Sequence, residues 1–180
     1  MDTVDLPGVG PKTEELGTSG AKKFSMRGMP QLSQGTTFDA LATAENLWLS
    51  VKVYSSGGEN SLHYHTVEDH AFVVLQGRAT FDFGDGSSSE ATQFEGIMLP
   101  KGVKYRFQAG EEVNLVMLRI GAAQRKTTGI DELLKFGGPM ELAGTTLDDD
   151  GSKKVNRGGS AKTPNAPPVV IPGKFFPTDA

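Results

Sequence analysis

The stretch His63-Tyr64-His65-Thr66-Val67-Glu68-Asp69-His70, written HYHTVEDH, holds all three histidines of a 180-residue chain. Side chains two apart on a strand share a face, about 6.5–7 Å apart at Cα. His63 and His65 therefore turn toward one point if residues 63–65 are extended. The four residues Thr66–Asp69 are long enough for a bend, after which His70 starts a returning strand and joins them from the same hairpin. Three neutral imidazoles with positions left open form a catalytic kind of metal site rather than a closed structural one. The expected cofactor is one divalent ion per chain. Fe(II) is favoured, and Zn, Ni, Mn and Cu also accept such ligands.

Two carboxylates compete for the ion. Glu68 shares parity with His70, so a set of His63, His65 and Glu68 is an alternative. The position expected for Glu68, inside the bend, argues against that set. Either Glu68 or Asp69 would otherwise hold an imidazole N–H and fix its tautomer.

Moving outward, the flanking sequence alternates as strands do. In NLWLSVKVY, residues 46–54, Leu47, Leu49, Val51 and Val53 share one face and Trp48, Ser50, Lys52 and Tyr54 the other. AFVVLQGRATFDFGDG, residues 71–86, reads as two strands about Gly77 that close at Gly84-Asp85-Gly86. TQFEGIMLPKG ends at a Pro-Lys-Gly turn, and VKYRFQAGEEVNLVMLRIG reads as two strands about Ala109-Gly110. Short strands punctuated by glycine, with no helix between them, predict an all-β sandwich or barrel.

The ends differ in character. Residues 1–30 read as an extended or disordered N-terminal arm, and 31–143 as the barrel. A short helix is expected near 129–136, capped by Thr128 and stopped by Gly137. Residues 144–180 form a Gly/Pro-rich tail. Its apolar Val169, Val170, Ile171, Phe175 and Phe176 suggest a segment docked on the barrel or on a partner subunit.

The residues around HYHTVEDH resemble the cupin family. The family's first motif places glycine, five residues, His-x-His, three or four residues, glutamate, six residues and glycine. Gly57, His63, His65, position 70 and Gly77 meet every spacing, with His70 standing where the family has glutamate. The second motif ends Pro-x-Gly-x-x-His, and here Pro100 and Gly102 lead to Tyr105 in place of histidine. Gly96 also stands two residues closer to Pro100 than usual. The resemblance spans about residues 46–121. It implies a double-stranded β-helix, the cupin jelly-roll barrel.

Losing the glutamate leaves a three-histidine site one unit more positive, suited to an anionic or enolate-like ligand. Tyr105 is then a candidate catalytic residue. It would ligate weakly, exchange a proton with substrate, or simply pack. By parity, Phe72, Val74, Met98 and Phe107 line the pocket. Arg119 joins them if it points inward, where it would pair with a substrate carboxylate.

The expected function is a metal-dependent enzyme acting on a small enolisable or phenolic carbonyl compound. The resemblance to cupin dioxygenases makes a non-haem dioxygenase the leading reading. A redox-neutral isomerase, cyclase or lyase and a non-catalytic ligand-binding cupin are the alternatives. A net charge of −4 gives nucleic acid no electrostatic support, and no run approaches the ~18 apolar residues of a membrane span. Zero cysteines exclude disulfides and thiol catalysis. The acidic N-terminus lacks the apolar segment of a signal peptide. A cytoplasmic homodimer that binds a small molecule is expected.

Overall fold

Period-two alternation decides the architecture. A computed structural model of the protein describes residues 13–16, 20–44, 46–55, 61–123, 146–148 and 167–177, and its regular structure is all β-strand. One sheet contains β4 (Thr36–Thr43), β5 (Leu47–Tyr54), β7 (Glu68–Gln76), β10 (Gly96–Leu99) and β12 (Leu115–Ala123), in the order β10-β7-β12-β5-β4. A second holds β6 (His63–His65), β8 (Arg78–Phe83), β9 (Ser88–Thr92), β11 (Tyr105–Ala109) and β13 (Thr146–Asp148), in the order β13-β6-β11-β8-β9. All pairings are antiparallel. This is the double-stranded β-helix that the resemblance implies.

The chain crosses between sheets where the sequence suggested local pairs. β7 pairs with β10 and β12, whereas β8 pairs with β9 and β11, so Gly77 carries the chain from one sheet to the other. Its φ of 77° lies in the left-handed region, and a Cβ there would meet the Asn114 carbonyl oxygen at 2.9 Å. Ala109-Gly110 likewise leads from one sheet to the other. By contrast, β8 and β9 form a true hairpin about Gly84-Asp85-Gly86. There Asp85 accepts hydrogen bonds from the Ser87 hydroxyl (2.6 Å) and backbone N–H (2.9 Å). Both hold its carboxyl below the usual range.

The barrel interior is aromatic. Tyr54, Phe72, Phe81, Tyr105 and Phe107 pack with Val74, Leu115 and Met117. Phe81 and Phe107 stand 5.7 Å apart at their centroids, and Tyr54 meets Phe107 edge-on at 4.9 Å. The first sheet is covered on its other face too. Leu41, Val51, Val53 and Val116 pack there against Met29 and Leu32 of β3 (Met29–Gln34). Both parities of β5 are therefore buried.

The apolar C-terminal run is β14 (Val169–Phe176), which pairs with β3 and brings Val170 and Phe176 onto that outer core. Asn114 ties β3 to the barrel by accepting from the Leu32 N–H and donating to the Leu32 carbonyl at 2.8 Å. Near the N-terminus, β1 (Thr13–Leu16) pairs with β2 (Ala21–Phe24). The helix expected at 129–136 falls outside the described residues. Among those described, no helix is long and apolar enough to cross a membrane.

Candidate metal centre

The histidines converge from facing sheets, not from one hairpin. β6 turns His63 and His65 inward, with Tyr64 between them half-buried. β7 turns Glu68, His70, Phe72 and Val74 inward. The bend is only Thr66-Val67, so Glu68 opens β7 instead of sitting in the bend, and its side chain is 1% exposed. Because Glu68 and His70 are two apart on one strand, both reach the same point.

That point lies between Glu68, His65 and His70. Glu68 Oε2 is 3.4 Å from His70 Nε2 and 3.7 Å from His65 Nδ1. One ligand atom from each of the three residues lies within 4.8 Å of the others, and all three are buried. Ligands about 2.1 Å from a tetrahedral ion stand about 3.4 Å from one another. The spacing thus suits a shared cation better than direct hydrogen bonds. With a carboxylate in the set, a divalent centre carries +1, not the +2 expected from three imidazoles.

His63 is not in this group. Its Nδ1 lies 2.8 Å from the Ser61 carbonyl, which only accepts, so Nδ1 carries a proton. Its ring is 5.3 Å from His65 and 4.4 Å from Tyr105. Tyr105 is buried on β11 directly opposite His63, and its hydroxyl lies 3.4 Å from His65 Nε2.

Other expected site residues divide. Phe72, Val74 and Phe107 are buried in the interior, and Arg119 points inward at 5% exposure. Met98 does not line the site. It is 73% exposed, because the inward parity of β10 is set by Leu99, which pairs with His70. Asp69 faces outward and accepts from the Lys101 N–H at 2.9 Å, fixing the Pro100–Gly102 turn instead of an imidazole.

Two site residues escaped the sequence reading. Trp48 donates its indole N–H to Glu68 Oε1 at 3.1 Å and meets His70 edge-on at 5.4 Å. Gly121 pairs with Trp48 on one side and His70 on the other. A Cβ at Gly121 would lie 2.0–2.3 Å from the indole ring, so the missing side chain is what seats Trp48. The signal was present in the parity of β5, which puts Trp48 on the same face as Tyr54.

The fold and the buried His-Glu-His group define a small β-barrel with a candidate metal site. Residues 50–121 match the family model described as the cupin domain, and the barrel is similar to that domain over this stretch. An uncharacterized protein YdbB of Bacillus subtilis (strain 168) is 31% identical over 75 residues, which is 42% of this chain. The aligned stretch spans 65% of that relative's length. Among solved structures, KdgF from Halomonas sp. gives a TM-score of 0.46 at 15% identity, covering 51% of this chain and 81% of its own. A cupin superfamily protein from Desulfitobacterium hafniense gives 0.43 at 22% identity, covering 49% and 78%.

Proposed function

We propose that this barrel is a metal-dependent enzyme that acts on a small enolisable or phenolic carbonyl compound, with Fe(II) as its ion and a dioxygenase reaction. The observation that carries the reading is the buried group of His65, Glu68 and His70 beside an aromatic interior. Two histidines and one carboxylate with positions left open are the donor set of non-haem Fe(II) oxygenases. When bound, the ion would supply Lewis acidity and, as iron, one-electron chemistry with dioxygen.

The chain's own residues supply the rest. Glu68 contributes the negative charge that the imidazoles lack, and Trp48 holds its other oxygen in place. His63, beside His65, would serve as a further ligand. The Tyr105 hydroxyl, next to His65, is placed to give or take a proton at a substrate oxygen. Phe72 and Phe107 keep water from the reacting centre.

The test is metal content of the purified protein, followed by oxygen uptake with a panel of diketones and phenolic ketones. Iron with uptake that Glu68→Gln abolishes supports the dioxygenase. Zinc or nickel with turnover and no uptake replaces it with a redox-neutral isomerase, cyclase or lyase. Protein that neither holds nor takes up metal overturns both.

A further inference from the structure

The β10 edge of the first sheet carries two large apolar side chains that the barrel core does not take up. Met98 is 73% exposed, and Phe94, just before the strand, is 80% exposed. Among the described residues, β10 has a strand partner on one side only, which is β7. Phe94 is also the one non-glycine residue, among those described, whose φ lies in the left-handed region, at 68°. A bulky side chain adopts that conformation at a cost, and the exposed ring gains little burial in the single chain to offset it.

The backbone shows which groups of β10 face outward. Val74 accepts from the Phe94 N–H and donates its own N–H to the Glu95 carbonyl, each at 2.8 Å. Bonded and non-bonded pairs alternate along an antiparallel ladder. In the register that sets Gly96 against Val73, Ile97 against Phe72 and Met98 against Ala71, Met98 falls at a non-bonded position. Its N–H and C=O therefore point away from β7, and such an edge is a template for another strand.

We propose that a second copy of this chain pairs here, β10 against β10, antiparallel about a two-fold axis at Met98. The two Met98 residues exchange N–H···O=C bonds, and the two five-stranded sheets become continuous. The register sets Glu95 of each copy beside Lys101 of the other, and both residues are exposed. Each is held in place within its own chain. Glu95 Oε2 accepts from the Thr92 N–H at 2.8 Å and hydroxyl at 2.7 Å. The Lys101 N–H donates to Asp69, and the Gly102 N–H to the His65 carbonyl at 2.7 Å. The same register sets Phe94 beside Gly102, where a Cβ would meet nothing within 4 Å, so open space receives the ring. An uncharged strand with an acid before it and a base after it is matched by its own reversed copy.

Sedimentation velocity on the full chain measures the assembly, and the wild type should sediment as a dimer. Met98→Lys sets two ammonium groups against each other at the axis and should raise the dimer dissociation constant at least ~100-fold. The chain has no cysteine, so Met98→Cys gives an independent reading, which carries the test if Met98→Lys does not fold. Bonded partners stand about 5.5 Å apart at Cα, within the roughly 4.4–6.8 Å that a disulfide spans. The thiol oxidant diamide should therefore link Met98→Cys to itself and leave Ser88→Cys, exposed on β9, unlinked. A monomeric wild type, a dimer indifferent to Met98→Lys, or a Met98→Cys protein that links no faster than Ser88→Cys overturns the proposal.

Discussion

His65 and His70 face each other with ring centroids 4.0 Å apart, yet their strands belong to different sheets. β6 and β7 are consecutive in the chain, but the two-residue bend between them crosses the barrel. The proposed ion is therefore held between sheets, with Glu68 and His70 on one side and His65 on the other. Glu68→Gln, His65→Ala and His70→Ala should each weaken metal binding by more than ~100-fold, beyond the 10–100-fold typical of losing an outer hydrogen-bond partner. His63→Ala should cost only about tenfold, within that outer range. Titration calorimetry and metal per chain measure all four. Full occupancy in Glu68→Gln would refute this ligand set.

An ion that bridges two sheets also links metal binding to folding. Ligand binding to the native state alone adds about 2.7 kcal/mol at one hundred times its dissociation constant. Stripping the metal with a chelator should lower the thermal midpoint, and returning the ion should restore it. The Glu68→Gln protein should show no such response, because it lacks the site. A chelator-insensitive wild type that had been shown to carry metal would contradict the bridging arrangement.

Gly121 makes the Glu68 contact through a third residue. It leaves room for the indole of Trp48, whose N–H reaches Glu68. Gly121→Ala should destabilise the protein by about 1–3 kcal/mol through overpacking. Trp48→Phe should keep the fold but reduce metal affinity by about 10–100-fold, since the ring remains and the donor is lost. Combining the two should recover less affinity than stability, because a smaller ring relieves the clash without replacing the N–H. Trp48 is also the chain's single tryptophan, so its fluorescence should change when metal binds the wild type. An emission spectrum indifferent to metal would place the ion elsewhere.

The barrel was legible because its strands alternate and its histidines are bunched. Leu47–Tyr54, His63–His65 and the inward parity of His70 and Phe72 all follow from period two. What the pattern does not carry is pairing between distant strands. β7 and β8 look like a hairpin locally, since a turn glycine between apolar runs reads the same whether it closes a ladder or crosses a barrel. The length of the bend decided the ligand set. A two-residue bend puts Glu68 on the strand, whereas a four-residue one would have removed it from the site. Met98 was misplaced for a related reason: β10 is short, and one residue of register reverses its faces. Trp48 and Gly121 became site residues only through their cross-strand partnership, which joins positions 73 residues apart (121 − 48).

The same long-range pairing governs the C-terminal strand. β14 pairs with β3, where Val170 stands opposite Leu32 and Phe176 opposite Met29. Its hold is reinforced by Gly28 N–H donating to the Phe176 carbonyl at 2.7 Å and Gln34 Nε2 donating to the Pro167 carbonyl at 3.1 Å. Val170 and Phe176 are partly buried against the core formed by Met29, Leu32, Val51 and Val116. Full burial of such a side chain is worth about 1.5–3 kcal/mol, so each partly buried one contributes a fraction of that. Phe176→Ala should therefore lower stability by about 1–2 kcal/mol, and Val170→Asp by more, since it also places a charge on an apolar face. Both should leave metal content unchanged, because this core lies on the face of the sheet opposite the histidines. Urea denaturation followed by Trp48 fluorescence measures the first expectation, and metal analysis of the same samples the second. Wild-type stability in both variants would mean that β14 is not part of the cooperative core, and loss of metal would mean that the two faces of the sheet are coupled.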